Sequence, residues 1–326
     1  MAIKITILGL GQVGGSIGLA LAQYKNKLTV VGHDKDSSKE RAALKKGAVE
    51  NTEHNLPRAV TGAQIVILAM PVHQVRETLE FIAQDLMDGA IVVDTSPVKA
   101  GVKKWVKEHL PARCNFVGLV PTLGADALQE TKAGLDSARA DLFSKSIFML
   151  DAPTGTSGEA IDLTMDLVRL LGATCMLTDT TESDGLISSV YLLPQLVSAA
   201  LVNATVDLPG WQEGRKLAER AFVATTSGLT AQEDTEALQM LSLHNKENVV
   251  RSINTMILSL QALRNDIEKG DEEALKVRLE AAKINREIWM NERITAKWEN
   301  MEVQMEAPPS LGERLFGGLF TGRPKK

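Results

Sequence analysis

Up to about residue 151 the chain repeats one figure, a short aliphatic and β-branched run followed by a longer stretch whose apolar positions recur every three or four residues. The runs IKITILG, KLTVVGHD, QIVILAM, AIVVDTS, NFVGLV and SIFMLD have few polar interruptions, as strands covered on both faces do. Helical spacing fills most of the gaps between them, so the pattern predicts βαβ units and a parallel, doubly wound sheet. The segment EAIDLTMDLVRLLGATCMLTD adds one more helix and one more strand.

After Asp179 the β-rich runs stop. LISSVYLLPQLVSAALVNATV, EGRKLAERAFVATTSG and a long stretch from Glu236 to Glu268 read as helices, and a last helix runs from Asp271 toward Trp298, with Gly270 closing one helix and Asp271 capping the next. The first of these is too apolar to show one face to water, so it predicts burial between partners and a helical domain that completes its core by dimerising. Pro194 inside it predicts a kink or a break. From Glu306 the chain is rich in Pro and Gly and is read as a flexible end; its LFGGLF patch is either a docking element or part of that frayed end.

The first strand runs into GLGQVGGSIG, which places Gly9, Gly11 and Gly14 as GxGxxG between a strand and a helix. Gly9 permits the tight turn, Gly11 lets the backbone approach a pyrophosphate, and Gly14 lets helix pack on strand, with Gln12 and Val13 in the same turn. The phosphates then face the helix N-terminus. Asp34, closing the second strand, is placed to accept hydrogen bonds from the adenosine ribose and to repel a 2′-phosphate, which favours NAD. Lys35, Lys39 and Arg41 keep NADP possible if Asp34 turns away. Met70, Pro71 and Val72 end another strand on the nicotinamide side of the crevice. The fold expected is a Rossmann-type doubly wound α/β domain over residues 1–179, then an all-α dimerisation and substrate domain over 180–300, then a tail over 301–326.

Composition narrows the partners. With 326 residues and 44% hydrophobic content there is enough chain for two cores, and a net charge of −5 supplies no basic field for nucleic acid. The two cysteines, Cys114 and Cys175, stand far apart, which argues against a disulfide framework or a metal site and for a reduced, cytoplasmic setting. MAIK leads straight into a strand without the order of a signal peptide, and no apolar run is read as long enough to span a membrane. The partners expected are a small-molecule substrate and a second copy of the chain.

A second polar cluster follows in DTSPVK: Asp94, Thr95, Ser96 and Lys99 stand at a strand end and helix start. One reading is a capped helix N-terminus with Asp94 or Ser96 as cap and Pro97 in its first turn. The other is a substrate-facing group, with Thr95 toward the cofactor and Lys99 pairing with a carboxylate or hydrogen-bonding a carbonyl during hydride transfer.

Together GLGQVGGSIGLAL, DTSPVK and the helical stretch LHNKENVVRSINTMILSLQALRNDIEKGDEEALKVRLEAAKINRE resemble the prephenate and arogenate dehydrogenase family, nearly throughout the chain up to about residue 295. The resemblance implies a dimer that oxidises prephenate or arogenate with NAD or NADP, a histidine assisting at the ring hydroxyl, and loss of carbon dioxide as the ring becomes aromatic. It also marks departures. The family's His-Pro-Met-Ala-Gly is matched by Val120, Pro121, Thr122, Leu123 and Gly124; its Ser-His-Leu-Pro-His by Tyr191, Leu192, Leu193, Pro194 and Gln195. Its Gly-Phe-Arg-Asp-Thr-Thr-Arg is matched by Ala221 to Ser227, so Val223 stands where the arginine that holds a substrate carboxylate is expected, and the serine before Val-Lys falls on Pro97.

The substitutes are Lys99, Ser96 one place from the missing serine, and Arg220 one helical turn before Val223. His73 and His244 are lone histidines of the kind more often structural than catalytic. Three functions stay open: a prephenate-type NAD-dependent dehydrogenase with a rearranged site, a dehydrogenase of another, less anionic substrate, and a dinucleotide-binding protein without turnover.

Overall fold

A computed structural model describes residues 2–130, 134–231 and 234–297. The tail read as flexible lies outside the described residues. Eight strands form one sheet: β1 (Ile3–Leu8), β2 (Leu28–His33), β3 (Asn51–Thr52), β4 (Ile65–Leu68), β5 (Ile91–Asp94), β6 (Asn115–Pro121), β7 (Ile147–Asp151) and β8 (Thr174–Leu177). Their order is β3-β2-β1-β4-β5-β6-β7-β8. The six runs predicted as strands and the TCML strand all pair in it; the two-residue β3 carried no hydrophobic signal.

The expected parallel arrangement holds except at one seam, where β6 and β7 pair antiparallel. A parallel neighbour needs a crossover, usually a helix. Among the described residues the chain between them forms only short 3₁₀ turns at Ala125–Ala127 and Leu135–Ser137, so it re-enters the sheet in the opposite direction. Strand order reverses at β1 and β4, and the crevice at their carboxyl ends is where a doubly wound sheet receives ligands.

The helices of this half are α1 (Gln12–Leu21), α2 (Ser37–Lys46), α3 (Leu56–Val60), α4 (Val72–Ile82), α5 (Ala100–His109) and α6 (Gly158–Leu170). Alternate residues of each strand feed two cores. On one face Ile5, Ile7, Val117, Leu119 and Phe148 pack with Ile17 of α1 and Leu167 of α6. On the other Val66, Leu68, Val92, Phe116 and Val120 pack with Val75 of α4 and Val102 of α5, and this core continues into the helical half through Ile187, Leu192, Leu238 and Leu241.

That half begins with α7 (Thr180–Ile187), a π-helical turn (Ser188–Leu192) and α8 (Leu193–Val206), which run as one 27-residue helix. Pro194 does not break it. It sits in the first turn of α8, directly after the π turn, where the missing N–H is tolerated. By length and composition this helix is long and apolar enough to cross a membrane, which corrects the expectation that no run reaches that length. Its Asp184, Ser188, Gln195 and Ser198 are nevertheless buried against the protein. Burial between partners describes only one face, because Leu186 and Val190 are exposed.

The segment expected as one helix after it is broken into α9 (Trp211–Gly214), α10 (Arg220–Thr226) and α11 (Gly228–Ala231). The long stretch from Glu236 divides at Asn245 into α12 (Thr235–His244) and α13 (Lys246–Lys269), where the Asn245 amide donates to the Asp184 carbonyl at 2.7 Å and accepts from Asn248 at 2.8 Å. A side chain that bonds locally in this way competes with helix continuation. Gly270 ends α13 at φ 64°, and Asp271 accepts from Ala274 N at 3.0 Å to start α14 (Glu272–Thr295), as the sequence predicted.

Both cysteines are free. Burial pushes the Cys175 thiol up to about 12, so it is expected to resist iodoacetamide at pH 8 in the folded protein and to react on unfolding, as mass spectrometry of alkylated peptides will show.

Candidate active site

The turn after β1 is built by close approach. Gly9 has φ +97°, and a Cβ there would lie 2.4 Å from the Ala69 carbonyl oxygen; a Cβ on Gly14 would lie 1.9 Å from the Gly9 carbonyl oxygen. Gly11 is different: nothing stands within 4 Å of the position its Cβ would take. Two glycines therefore let the turn fold onto β4 and α1, and the third leaves its outer side open. Gly11 is the N-cap of α1, no side chain caps it, and the first turn carries no acid. Gln12 and Val13, half-buried, begin that helix beside unspent backbone donors, the arrangement that receives phosphate. A dinucleotide fits these residues.

Asp34 closes the adenosine side. It is 7% exposed, and its Oδ2 accepts from Leu10 N at 2.8 Å while Oδ1 accepts from Asp36 N at 3.0 Å. Each oxygen keeps a lone pair for a ribose hydroxyl. Two backbone bonds also hold the carboxylate in place, so it is not free to turn away in favour of Lys35, Lys39 or Arg41. At the end of β4, Met70 Sδ accepts from Thr78 Oγ1 at 3.3 Å and Pro71 is the N-cap of α4. Thr95 follows β5, its hydroxyl and N–H both donating to the Leu68 carbonyl at 2.9 and 3.0 Å. Gly9, Met70 and Thr95 thus stand at the carboxyl ends of three adjacent strands.

The neighbouring cluster is shut. Asp94, Gly118 and Asp151 lie in register across β5, β6 and β7. The Lys99 stem lies over Gly118, where a Cβ would be 3.0 Å from Lys99 Cδ, and its ammonium donates to Asp94 Oδ2 at 2.6 Å and to the Asp94 carbonyl at 3.0 Å. Lys99 and Asp94 are both 0% exposed. Burial pulls the Lys99 ammonium below its ordinary value, against Asp94, Asp184 and Asp151, which pull it back up. The Lys99 charge is paired with Asp94 and buried from solvent in this structure. Ser96, 3% exposed, donates its hydroxyl to Asp94 Oδ1 at 2.7 Å and belongs to the same closed group.

Two acidic partners of this cluster lie far along the chain. Asp184 on α7 accepts from Lys99 N at 2.7 Å and Ala100 N at 3.0 Å, capping α5 from the helical half. Burial raises its carboxyl pKa, and those two N–H bonds oppose the shift. Asp151 accepts from Lys103 Nζ at 2.8 Å and Thr180 Oγ1 at 2.6 Å. The capped-helix reading of DTSPVK, with Asp94 or Ser96 as cap and Pro97 in the first turn, is corrected in both details: the helix begins at Ala100, and its cap is Asp184, 85 residues away from Lys99.

Of the positions that the resemblance marks as departures, Val120 and Gln195 are packed and Val223 is exposed. Val120 is 4% exposed in the second core, with Met149 and Leu192. Gln195 is 1% exposed; its Nε2 donates to the Tyr191 carbonyl at 3.0 Å, and its Oε1 has no partner among the described residues. Arg220 and Val223 line an open cleft of about 800 Å³ with Glu219, Ala224 and Ser227, and this lining shares no residue with the Asp94–Lys99 cluster. Ser96 and Lys99 are brought together; Arg220 is not brought to them. His244 packs edge-on against Trp105 with ring centres 5.0 Å apart, a structural contact between α12 and α5. His73, in the first turn of α4, has Nε2 3.9 Å from Glu236 and a buried Nδ1 without a partner among the described residues.

The family model described as the prephenate dehydrogenase nucleotide-binding domain matches residues 17–177, and the one described as the prephenate dehydrogenase dimerization domain matches 179–281. The chain belongs to the prephenate dehydrogenase family. The first match begins after the glycine turn, so the phosphate cradle rests on the geometry above. The prephenate dehydrogenase of Bacillus subtilis is 27% identical over 273 residues, covering 83% of this chain and 72% of that protein. The cyclohexadienyl dehydrogenase of Zymomonas mobilis is 24% identical over 270 residues, covering 82% and 89%. The solved prephenate dehydrogenase of A. aeolicus, a complex with hydroxyphenyl propionate and NAD+, superposes with a TM-score of 0.77 at 24% identity over 88% of this chain and 98% of that one, which shows a common fold.

Proposed function

We propose that this chain is an NAD-dependent dehydrogenase of the prephenate type, whose reaction is the oxidative decarboxylation of prephenate toward tyrosine, run on a rearranged substrate side. The observation that carries the proposal is the β1–α1 turn, where two glycines are sterically required and the third faces open space under an uncapped helix N-terminus. When bound, the dinucleotide supplies the hydride acceptor. Gly11, Gln12 and Val13 hold its phosphates, Asp34 its ribose, and Met70, Pro71 and Thr95 border the nicotinamide side. Lys99 and Ser96 fix the end of β5 through Asp94 and shape the crevice wall from behind. Arg220 is the available cation on the α10 surface. Calorimetric titration tests the cofactor role: NAD is expected to bind, and a protein that binds no dinucleotide refutes it.

Residues 1–179 form the nucleotide half in this reading and 180–300 the helical half. The free thiols favour a cytoplasmic setting. The helical half works as a homodimer. α14 buries none of its residues, and Ile257, Leu258, Leu260 and Ile267 of α13 and Val277, Leu279, Ile284, Ile288 and Trp289 of α14 are all exposed. Apolar surface on that scale marks an interface, and the dimerization-domain match covers most of it. Light scattering at low micromolar concentration is expected to give twice the chain mass; a stable monomer refutes the dimer.

The second reading, a less anionic substrate, is favoured by one observation. The only lysine in the polar cluster at β5 is already neutralised by Asp94.

A further inference from the structure

Beside Asp34 lies a second buried carboxylate that the cofactor reading does not use. Glu40 of α2 is 5% exposed although its helix is otherwise largely solvated. Its Oε1 accepts from the backbone N–H of Asp34 at 3.1 Å, and its Oε2 is 3.1 Å from Nδ1 of His54. His33 stands on the other side, but its Nδ1 lies 3.0 Å from the Glu53 carbonyl, which can only accept, and 3.7 Å from Glu40 Oε1. The His33 proton therefore goes to Glu53, and the compensation of Glu40 falls to the exposed ring of His54.

We infer that Glu40 is a second determinant of dinucleotide choice, adding a negative charge behind Asp34 that disfavours a ribose 2′-phosphate. The inference rests on the proposed cofactor reading and deepens it. A 2′-phosphate carries close to two negative charges, and like charges repel more strongly where protein replaces water. Asp34 presents one carboxylate to the ribose edge. Glu40 lies a single hydrogen bond behind its main chain, buried and so poorly screened by salt. NAD, which ends in a ribose hydroxyl at that place, feels no such repulsion. Glu40 is also a positioning residue, because its bond to Asp34 N sets the direction in which the Asp34 side chain leaves the backbone. The nearby cations Lys35, Lys39 and Arg41 are exposed or on the outer face of α2, where water screens them.

The test is a pair of titrations, NAD and NADP, on the full chain and on Asp34→Ser, Glu40→Gln, the double variant and His54→Ala. Glu40→Gln keeps the shape and an oxygen acceptor while removing the charge. The NADP-to-NAD affinity ratio is expected to rise on the order of tenfold in Glu40→Gln, the scale of one charge acting across several ångströms at an effective dielectric constant near 20. It should rise further in the double variant than in Asp34→Ser. His54→Ala, an exposed change that leaves folding intact, removes the partner that offsets Glu40 and is expected to lower the ratio. Equal weakening of both dinucleotides by Glu40→Gln, with an unchanged ratio, overturns the inference and leaves Glu40 a structural brace. A ratio that rises in His54→Ala also overturns it. If the unmodified chain binds neither dinucleotide, the cofactor reading itself falls, and the inference with it.

Discussion

Lys99→Met is expected to lower the unfolding free energy by about 3–5 kcal/mol, the cost of leaving one member of a buried ion pair without the other. The pair is the Lys99 ammonium and the Asp94 carboxylate, 2.6 Å apart and both fully buried. Methionine replaces the stem over Gly118 well, so the loss reports the charge and not the volume. Asp94 then keeps only the Ser96 N–H at 3.1 Å and the Ser96 hydroxyl at 2.7 Å. Adding Asp94→Asn removes the orphaned charge, and the double variant is expected to recover most of the loss. Urea unfolding followed by circular dichroism measures both. A loss below about 1 kcal/mol in the single variant would be the behaviour of a solvent-exposed pair, and would mean that water reaches Asp94.

Prephenate is expected to be oxidised about 10²- to 10⁴-fold more slowly than by a typical enzyme, because no general base stands at the position matching the family histidine. Val120 there is 4% exposed and packed in an apolar core, so water is also kept from taking over the role. Lys99 and Ser96, the substitutes that the sequence offers, are bound to Asp94. Substrate affinity is expected to be weak as well, since Val223 offers no charge from its exposed place on α10. Arginine at 223 should be tolerated on that surface. Histidine at 120 must enter a filled core, where added atoms cost about 1–3 kcal/mol. Val120→His with Val223→Arg is therefore expected to raise the rate only under conditions where the variant stays folded, which circular dichroism checks alongside the absorbance of NADH.

Much of this was legible in the chain because the signals are local. Uninterrupted aliphatic runs marked strands buried on both faces, the spacing of Gly9, Gly11 and Gly14 marked the turn, and Gly270 followed by Asp271 marked a helix boundary. What could not be read depends on distant partners. Nothing near DTSPVK announces that Asp184 caps α5, or that Asp151 is in register with Gly118 across an antiparallel seam. The sequence offers Lys99 as a partner for a substrate carboxylate or carbonyl; Gly118 provides the trough that lets it lie inside against Asp94. The break at Asn245 is likewise set by a bond to the Asp184 carbonyl. Glu40 is hidden for the same kind of reason, since a glutamate in a charged helix reads as solvated until the fold turns it toward Asp34.

The most direct test of a prephenate-type scaffold without its usual base is the rate of NADH formation at 340 nm after mixing the protein with saturating NAD and prephenate. NAD binding of ordinary strength together with a turnover far below the usual order of 10 per second is the predicted result. Turnover at that ordinary rate by the unmodified chain would contradict it, because some other group in the crevice would then be moving the proton.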